Sequence, residues 1–257
     1  MSAAIVLLAG VVPAADHIYV MNSGGFAEAY KALVPGYEKR TGDTLVSTYG
    51  PSMGQTPEAI PNRLQRGESA DVVIMVRAAL DGLVKQGRVV AGSQTDLVRS
   101  RIGMAVRAGA PVPDISSVEG FKRALLGARS IAYSDSASGM YLSKELFQRL
   151  GIDAEVAPKS RMIPATPVGL IVARGEAEIG FQQLSELLPV AGIRVVGPIP
   201  DPVQKITVFA AGVAVAARSP AAARRLIEYL SSEEAWPAIR RAGMEPVAAA
   251  RSASAPR

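Results

Sequence analysis

Apolar and polar positions follow two rhythms along this chain, and the switches between them mark its elements. Ile18-Tyr19-Val20-Met21 is a short apolar run ended by Asn22-Ser23-Gly24-Gly25, which predicts a first strand. Phe26, Tyr30, Leu33, Val34 and Tyr37 then recur at helical spacing until Gly42 stops the pattern. Thr44 to Tyr49 predicts a second strand. After the loop YGPSMGQT (Tyr49 to Thr56) comes a short helix around Ala59 to Arg66, interrupted by Pro61. Ala70 to Val76 is almost wholly apolar, as expected of a parallel strand buried on both faces, and Arg77 to Gln86 is a helix with Leu80, Leu83 and Val84 on one side. The order so far is βαβαβα, which predicts a parallel sheet with right-handed crossovers.

Leu97 to Arg107 predicts one long strand crossing into a second lobe, and Ala108 to Asp114 a Pro/Gly-rich turn. Val118 to Leu126 reads as a helix, Arg129 to Tyr133 as a strand, Met140 to Leu150 as a helix and Val168 to Ala173 as a short helix closed by Gly175. Ala177 to Gln182 is another buried strand, Val203 to Ala216 a return strand, and Ala221 to Leu230 and Glu233 to Arg241 two amphipathic helices. The expected architecture is α/β with two lobes, mixed sheets with helices on both faces and a ligand cleft between the lobes. Residues 16–100 with 208–246 form lobe I and residues 101–207 lobe II. A mobile tail is expected over 247–257.

Residues 1–15 have a short apolar stretch followed by small residues, as in an export signal cleaved after Ala14 or Ala15, so a periplasmic protein is expected. The basic opening of such a signal is missing, which places the true start upstream or gives the segment another role. The stretch is too short to span a membrane.

At 257 residues, 49% hydrophobic and 20% charged, the chain has ample material for a core. The net charge of +5 comes from 28 Lys and Arg that are scattered, with no aromatic-interleaved basic patch; this disfavours nucleic acid and leaves a small anion as the partner. There is no Cys and a single His, His17, read as a surface residue. These exclude a thiolate site and a His-based metal cluster, so no metal or organic cofactor is expected.

The chemistry is concentrated at three Gly/Ser-rich strand-to-helix junctions: Asn22 to Phe26, Tyr49 to Thr56, and Tyr133 to Leu142 (YSDSASGMYL). Such junctions put hydroxyls and unpaired first-turn N–H groups where the helix dipole favours an anion. One alone is an ordinary turn or cap. Three predict a single oxyanion or carboxylate site, at the carboxyl ends of the strands.

The order of an SGGF turn, a YGPSMG loop, an ADVVIM strand, a two-strand crossover, DSASGxY and GFQQ resembles type II periplasmic solute-binding proteins over nearly the whole mature chain, and within them the molybdate-binding branch. That resemblance implies an oxyanion held by Ser23, Ser52 and a backbone N–H of the Ser138-Gly139-Met140 turn. The branch's tyrosine has no counterpart, since Gln182 and Gln183 stand at that strand end. YGPSMGxTPxAIP, RAGAPVPDIS, AYSDSASG, RMIP and GFQQxSELLP are similar to the aconitate isomerases, bacterial enzymes on the same fold that interconvert cis- and trans-aconitate.

An allylic proton shift on such a substrate needs donors for three carboxylates and one proton carrier. The expected donors are Ser23, Gly24, Gly25, Ser52, Met53 and Gly54 in the first lobe and Ser136, Ser138, Gly139 and Gln182 in the second. Arg77 is the expected bidentate clamp, with Arg161 less well placed. The carrier is Asp135, Tyr133, Tyr141 or a serine. Two readings remain: an isomerase of a small tricarboxylate, and a solute receptor that would partner an ABC permease. A monomer is expected in either case.

Overall fold

The structure is a computed structural model that describes residues 15–248. The expected export signal (apart from Ala15) and residues 249–257 of the expected tail lie outside the described residues. Val247 is tied down, its N–H donating to the Leu97 carbonyl at 2.9 Å.

Strands β1 (His17–Asn22), β2 (Thr44–Tyr49), β3 (Val72–Val76) and β4 (Thr95–Ser100) are followed by β5 (Ile102–Arg107), β6 (Ile131–Ser134), β7 (Ser160–Ile163) and β8 (Ile179–Gln183). The last three are β9 (Ile193–Pro198), β10 (Thr207–Val213) and β11 (Glu245–Pro246). They form two mixed sheets. One has the order β11-β4-β10-β3-β1-β2 and the other β7-β6-β8-β5-β9. β1 pairs in parallel with β2 and β3, as the βαβαβα pattern predicts, while β10 runs antiparallel between β3 and β4. In the second sheet β6 is parallel to β7 and β8, and β5 is antiparallel to β8 and β9.

Each sheet is covered on both faces. Phe26, Tyr30 and Tyr37 from the helix Gly24–Thr41, with Leu226 from the helix Pro220–Ser231, pack on one face of the first sheet. Met21, Val73, Met75 and Leu80 fill the other face, which is why all five residues of β3 are buried. The second sheet carries Phe121, Leu142, Leu146 and Phe181 on one side and Ala132, Val168 and Val172 on the other.

The sequence pattern and the structure differ at six places. The single strand expected over Leu97–Arg107 is two strands in different sheets, broken at Arg101, whose guanidinium pairs with Asp201 at 2.6 Å. The break is not visible in the pattern because the residues on either side of it, Ser100 and Ile102, are both fully buried and the apolar positions resume at once. Pro61 opens the helix Ile60–Gln65 instead of interrupting it, since its missing N–H costs nothing in a first turn. The helix expected from Met140 starts at Ala137 and widens into a π turn over Leu142–Leu146 before ending at Arg149. β7, β9 and β11 have no counterpart in the pattern; they lie at sheet edges, are short or half wet, and show no apolar run.

Candidate functional site

The carboxyl ends of β1, β2, β6 and β8 feed loops that meet in one cavity of about 320 Å³ between the two sheets. All three Gly/Ser-rich junctions reach it. Ser23, Gly24 and Gly25 line it from the first, Gly50, Pro51 and Ser52 from the second, and Ser134, Asp135, Ser136 and Ala137 from the third.

Ser23 is the N-cap of the helix Gly24–Thr41 by position, with extended backbone, yet its hydroxyl makes no bond to that helix. It accepts instead from the Ser52 hydroxyl at 2.8 Å, and the Ser52 oxygen in turn accepts from the Val76 N–H at 3.0 Å. Both serines are buried. The chain of bonds leaves the Ser23 proton free to point at a ligand and polarises it, because each hydroxyl that accepts donates more strongly. Ser136 repeats the arrangement. It precedes the helix Ala137–Tyr141 without capping it, and its hydroxyl lies 2.9 Å from the Ser134 hydroxyl. Two helix starts that give up their side-chain caps keep first-turn N–H groups available for an anion.

Other expected residues stand elsewhere. Ser138 is buried one layer below the cavity, 3.0 Å from the Ser134 hydroxyl. Gly139 has no room for a Cβ because the Ser134 carbonyl sits against it, so it seats the helix on β6. Met53 packs against the first core. Gly54, at φ 112°, backs onto Asp135: a Cβ there would lie 3.3 Å from Asp135 Oδ2. Arg77 does not line the cavity; Asp81 at 2.9 Å and Asp96 at 2.5 Å hold its guanidinium. Arg161 is exposed and 3.8 Å from Glu176. Tyr141 donates to the Val203 carbonyl at 2.9 Å inside the second core, and Tyr133 stacks edge-on with Phe147; neither lines the cavity. Of the expected proton carriers, Asp135 alone among these three does.

Burial holds the Asp135 carboxyl above the usual carboxylate range, against backbone N–H groups of Asp135 itself and Ala165 that pull it down. Ala165 is at φ 53°, a left-handed conformation that costs an alanine about 1 kcal/mol or more, in a loop that lines the cavity. Gln182, buried, accepts from the Val168 N–H at 2.8 Å through Oε1, which turns its amide nitrogen toward Glu186.

Glu186 is the main residue that the sequence pattern missed. It follows β8 in the short helix Leu184–Leu187 and reaches the first lobe, where a Cβ on Gly24 would lie 2.5 Å from Glu186 Oε1. Burial first, then the charge of Asp135, push its carboxyl up to about 7, although Gln182 and the Gln183 N–H stabilise the charged form. Its only sequence signal is its place one helical turn after a buried strand end. Lys31 was also missed. It shares a face with Gly24 and Ala27 at helical spacing, all three line the cavity, and its exposed ammonium sits at the rim 2.7 Å from Glu28 and 5.4 Å from the centre of the Tyr49 ring. Among the described residues no group of three or more His, Asp or Glu stands close enough to hold a metal ion.

Residues 18–245 match the family model described as bacterial extracellular solute-binding protein. The chain is 54% identical over 230 residues to the aconitate isomerase of a Pseudomonas species, covering 90% of this chain and 88% of that one. The chain belongs to the bacterial extracellular solute-binding proteins. Among solved structures, the periplasmic molybdate-binding protein of Azotobacter vinelandii aligns with TM-score 0.69 at 21% identity, over 91% of this chain and 100% of that one. The sulfate-binding protein SubI of Mycobacterium tuberculosis aligns with TM-score 0.70 at 17% identity, over 90% and 87%. At these identities the structures establish the two-lobed binding-protein fold and nothing finer. In this solute-binding protein, no helix of the described residues is long and apolar enough to cross a membrane. Three carboxyls line its cavity: Glu58, which is exposed at the surface, and Asp135 and Glu186, which burial raises above the usual carboxylate range.

Proposed function

We propose that this chain interconverts cis- and trans-aconitate by moving a proton between two carbons of the substrate, within the cleft between the lobes. The 54% identity to an aconitate isomerase over most of both chains supports the reading. The observation that carries it is the coexistence of anion-holding donors and partly desolvated carboxyls on one cavity wall. A receptor for an anion gains nothing from buried carboxyls facing its ligand, since like charges within a few ångströms oppose binding. A proton-transfer enzyme needs one.

In this reading Ser23, backed by Ser52 and the Val76 N–H, holds one substrate carboxylate at the start of the helix Gly24–Thr41. The start of the helix Ala137–Tyr141, with Ser136, holds a second, and Lys31 meets a third at the rim. A carboxylate, Asp135 first among the expected carriers, removes a proton from the methylene carbon. The double bond shifts, negative charge spreads onto a substrate carboxylate already held by donors, and a proton returns at the former vinylic carbon. No redox partner is involved and the proton count is unchanged. The chain is proposed to be exported, monomeric and independent of a cofactor.

The test is direct. Purified protein incubated with cis-aconitate should yield trans-aconitate, resolved by chromatography, and the same mixture should be approached from the trans isomer. If the protein binds aconitate and neither isomer is consumed, it is a solute receptor.

A further inference from the structure

We propose that the proton carrier is a pair, in which Asp135 removes the methylene proton and the Glu186 carboxyl supplies the proton to the other carbon. The proposal rests on the isomerase reading and assigns it a second catalytic residue.

The two carboxyls line the same cavity but lean on different loops of the first lobe. Asp135 is set against Gly54, in the loop after β2, and Glu186 against Gly24, directly after β1. A substrate held between the lobes at Ser23 therefore meets two carboxyls that stand at different places on the cavity lining. That arrangement is what a shift between two different carbons needs, since one group need not travel from the first carbon to the second. Glu186 is also fixed from behind. Gln182 is locked by its bond to the Val168 N–H, the Gln183 N–H faces the carboxyl, and the neighbouring Ser185 hydroxyl donates to the Gly25 carbonyl at 2.7 Å, pinning the short helix to the first lobe. At both these positions glycine leaves room for the carboxyl, and a side chain at 24 would fill the space that Oε1 occupies.

The groups facing Glu186 set its charge state. Gln182 and the Gln183 N–H favour the anion, and Asp135 and burial oppose it. Burial and the Asp135 charge win, so the carboxyl is held near neutral pH, where it can give and take a proton with comparable ease. Burial raises Asp135 as well, while backbone N–H groups of Asp135 itself and Ala165 stabilise its charged form, the form a base needs.

The steps balance. The Asp135 carboxylate takes the methylene proton, the electron pair passes through the dienolate, and the Glu186 carboxyl protonates the former vinylic carbon. Asp135 is then neutral and Glu186 charged, and proton exchange between them or with solvent restores the starting state. The reverse reaction uses the roles exchanged.

Four proteins compared in deuterated buffer decide it: the unmodified chain, Glu186→Gln, Glu186→Asp and Asp135→Asn. Each is given cis-aconitate, followed by proton NMR, and tricarballylate, a saturated tricarboxylate that cannot react, to measure binding. The pair predicts that Glu186→Gln loses isomerisation by a hundredfold or more yet still washes methylene protons of cis-aconitate into solvent, because Asp135 alone can remove and return them. Asp135→Asn should lose both, and both variants should bind tricarballylate at least as well as the unmodified chain. Glu186→Asp, which retains a carboxyl one methylene shorter, should recover part of the turnover and covers the case in which the Gln variant fails to fold. Isomerisation by Glu186→Gln within a few fold of the unmodified chain overturns the proposal, as does equal loss of exchange and isomerisation in a folded Glu186→Gln protein that binds tricarballylate. If the unmodified chain itself converts nothing, the isomerase reading has failed and not the pairing.

Discussion

A carboxyl held against an anion site works against folding whenever it is charged, and Glu186 makes that cost measurable. Its folded value of about 7 lies above the ordinary 4.5, so the folded protein holds a proton that the unfolded chain has released between those limits. The stability this proton confers is fully present below about pH 4.5 and is lost as pH rises through about 7. The loss is at most about 3.5 kcal/mol, since each tenfold change in proton affinity corresponds to about 1.4 kcal/mol. Glu186→Gln removes the titration and leaves the shape. Melting curves should therefore coincide near pH 4.5 and separate progressively above it, the variant being the more stable at pH 8. A gap that does not change with pH would mean that Glu186 is solvated. At this scale the sequence pattern was informative where chemistry and turn chemistry coincide: Ser23, Ser52, Asp135 and Ser136 all sit at polar junctions and all line the cavity. Glu186 and Lys31 escaped because each lies inside a helix, where an acidic or basic residue reads as a solvated face. Arg77 was misplaced for the opposite reason. It follows a buried strand directly, as a ligand clamp would, but Asp81 one turn ahead and Asp96 on β4 hold it.

At the scale of elements, the junction between β6 and its helix is set by close approach. Gly139 lies in the first turn with the Ser134 carbonyl where a Cβ would stand, and both belong to the segment that presents Asp135 and Ser136. Gly82 sits mid-helix in Arg77–Lys85 with open space around it. The same substitution should therefore have opposite signs. Gly82→Ala should stabilise by about 0.5–1 kcal/mol, the helix propensity gained. Gly139→Ala should destabilise by about 1–3 kcal/mol, the cost of forcing a backbone segment apart, and should impair binding in the cleft as well. Chemical denaturation of the two variants side by side measures both. Central strands were legible for a related reason: β3 is wholly apolar and buried, and β1 and β8 carry the apolar runs Ile18–Met21 and Ile179–Phe181, whereas β7 and β9 are edge strands whose side chains are only partly covered. The break at Arg101 could not be read because apolar positions flank Arg99-Ser100-Arg101 on both sides, so two strands in different sheets look like one.

At the scale of the whole molecule, hydrogen bonds join the two lobes beside the cleft, and a ligand that bridges it adds to them. Across the seam Gln183 donates to Thr207 at 3.0 Å and Ser185 to Gly25 at 2.7 Å, while Gln204 brackets the second crossing by accepting from the Ile102 N–H at 2.9 Å and donating to the Ile102 carbonyl at 3.0 Å. A tricarboxylate long enough to reach Ser23 in one lobe and Ser136 in the other should stabilise both together. A tetrahedral oxyanion can occupy one end of a cavity of about 320 Å³ but leaves the rest to water. A thermal-shift panel of cis-aconitate, trans-aconitate, tricarballylate, sulfate and molybdate tests this. A ligand that binds only the folded protein contributes about 2.7 kcal/mol at a hundredfold excess over its dissociation constant. The tricarboxylates should raise the melting temperature at millimolar concentration while sulfate and molybdate leave it within error. Their effect should also be larger at pH 6 than at pH 8, because Glu186 is then protonated and no longer repels a trianion. Stabilisation by molybdate alone would place the ligand at the oxyanion end of the cleft, and the two carboxyls would then need another explanation.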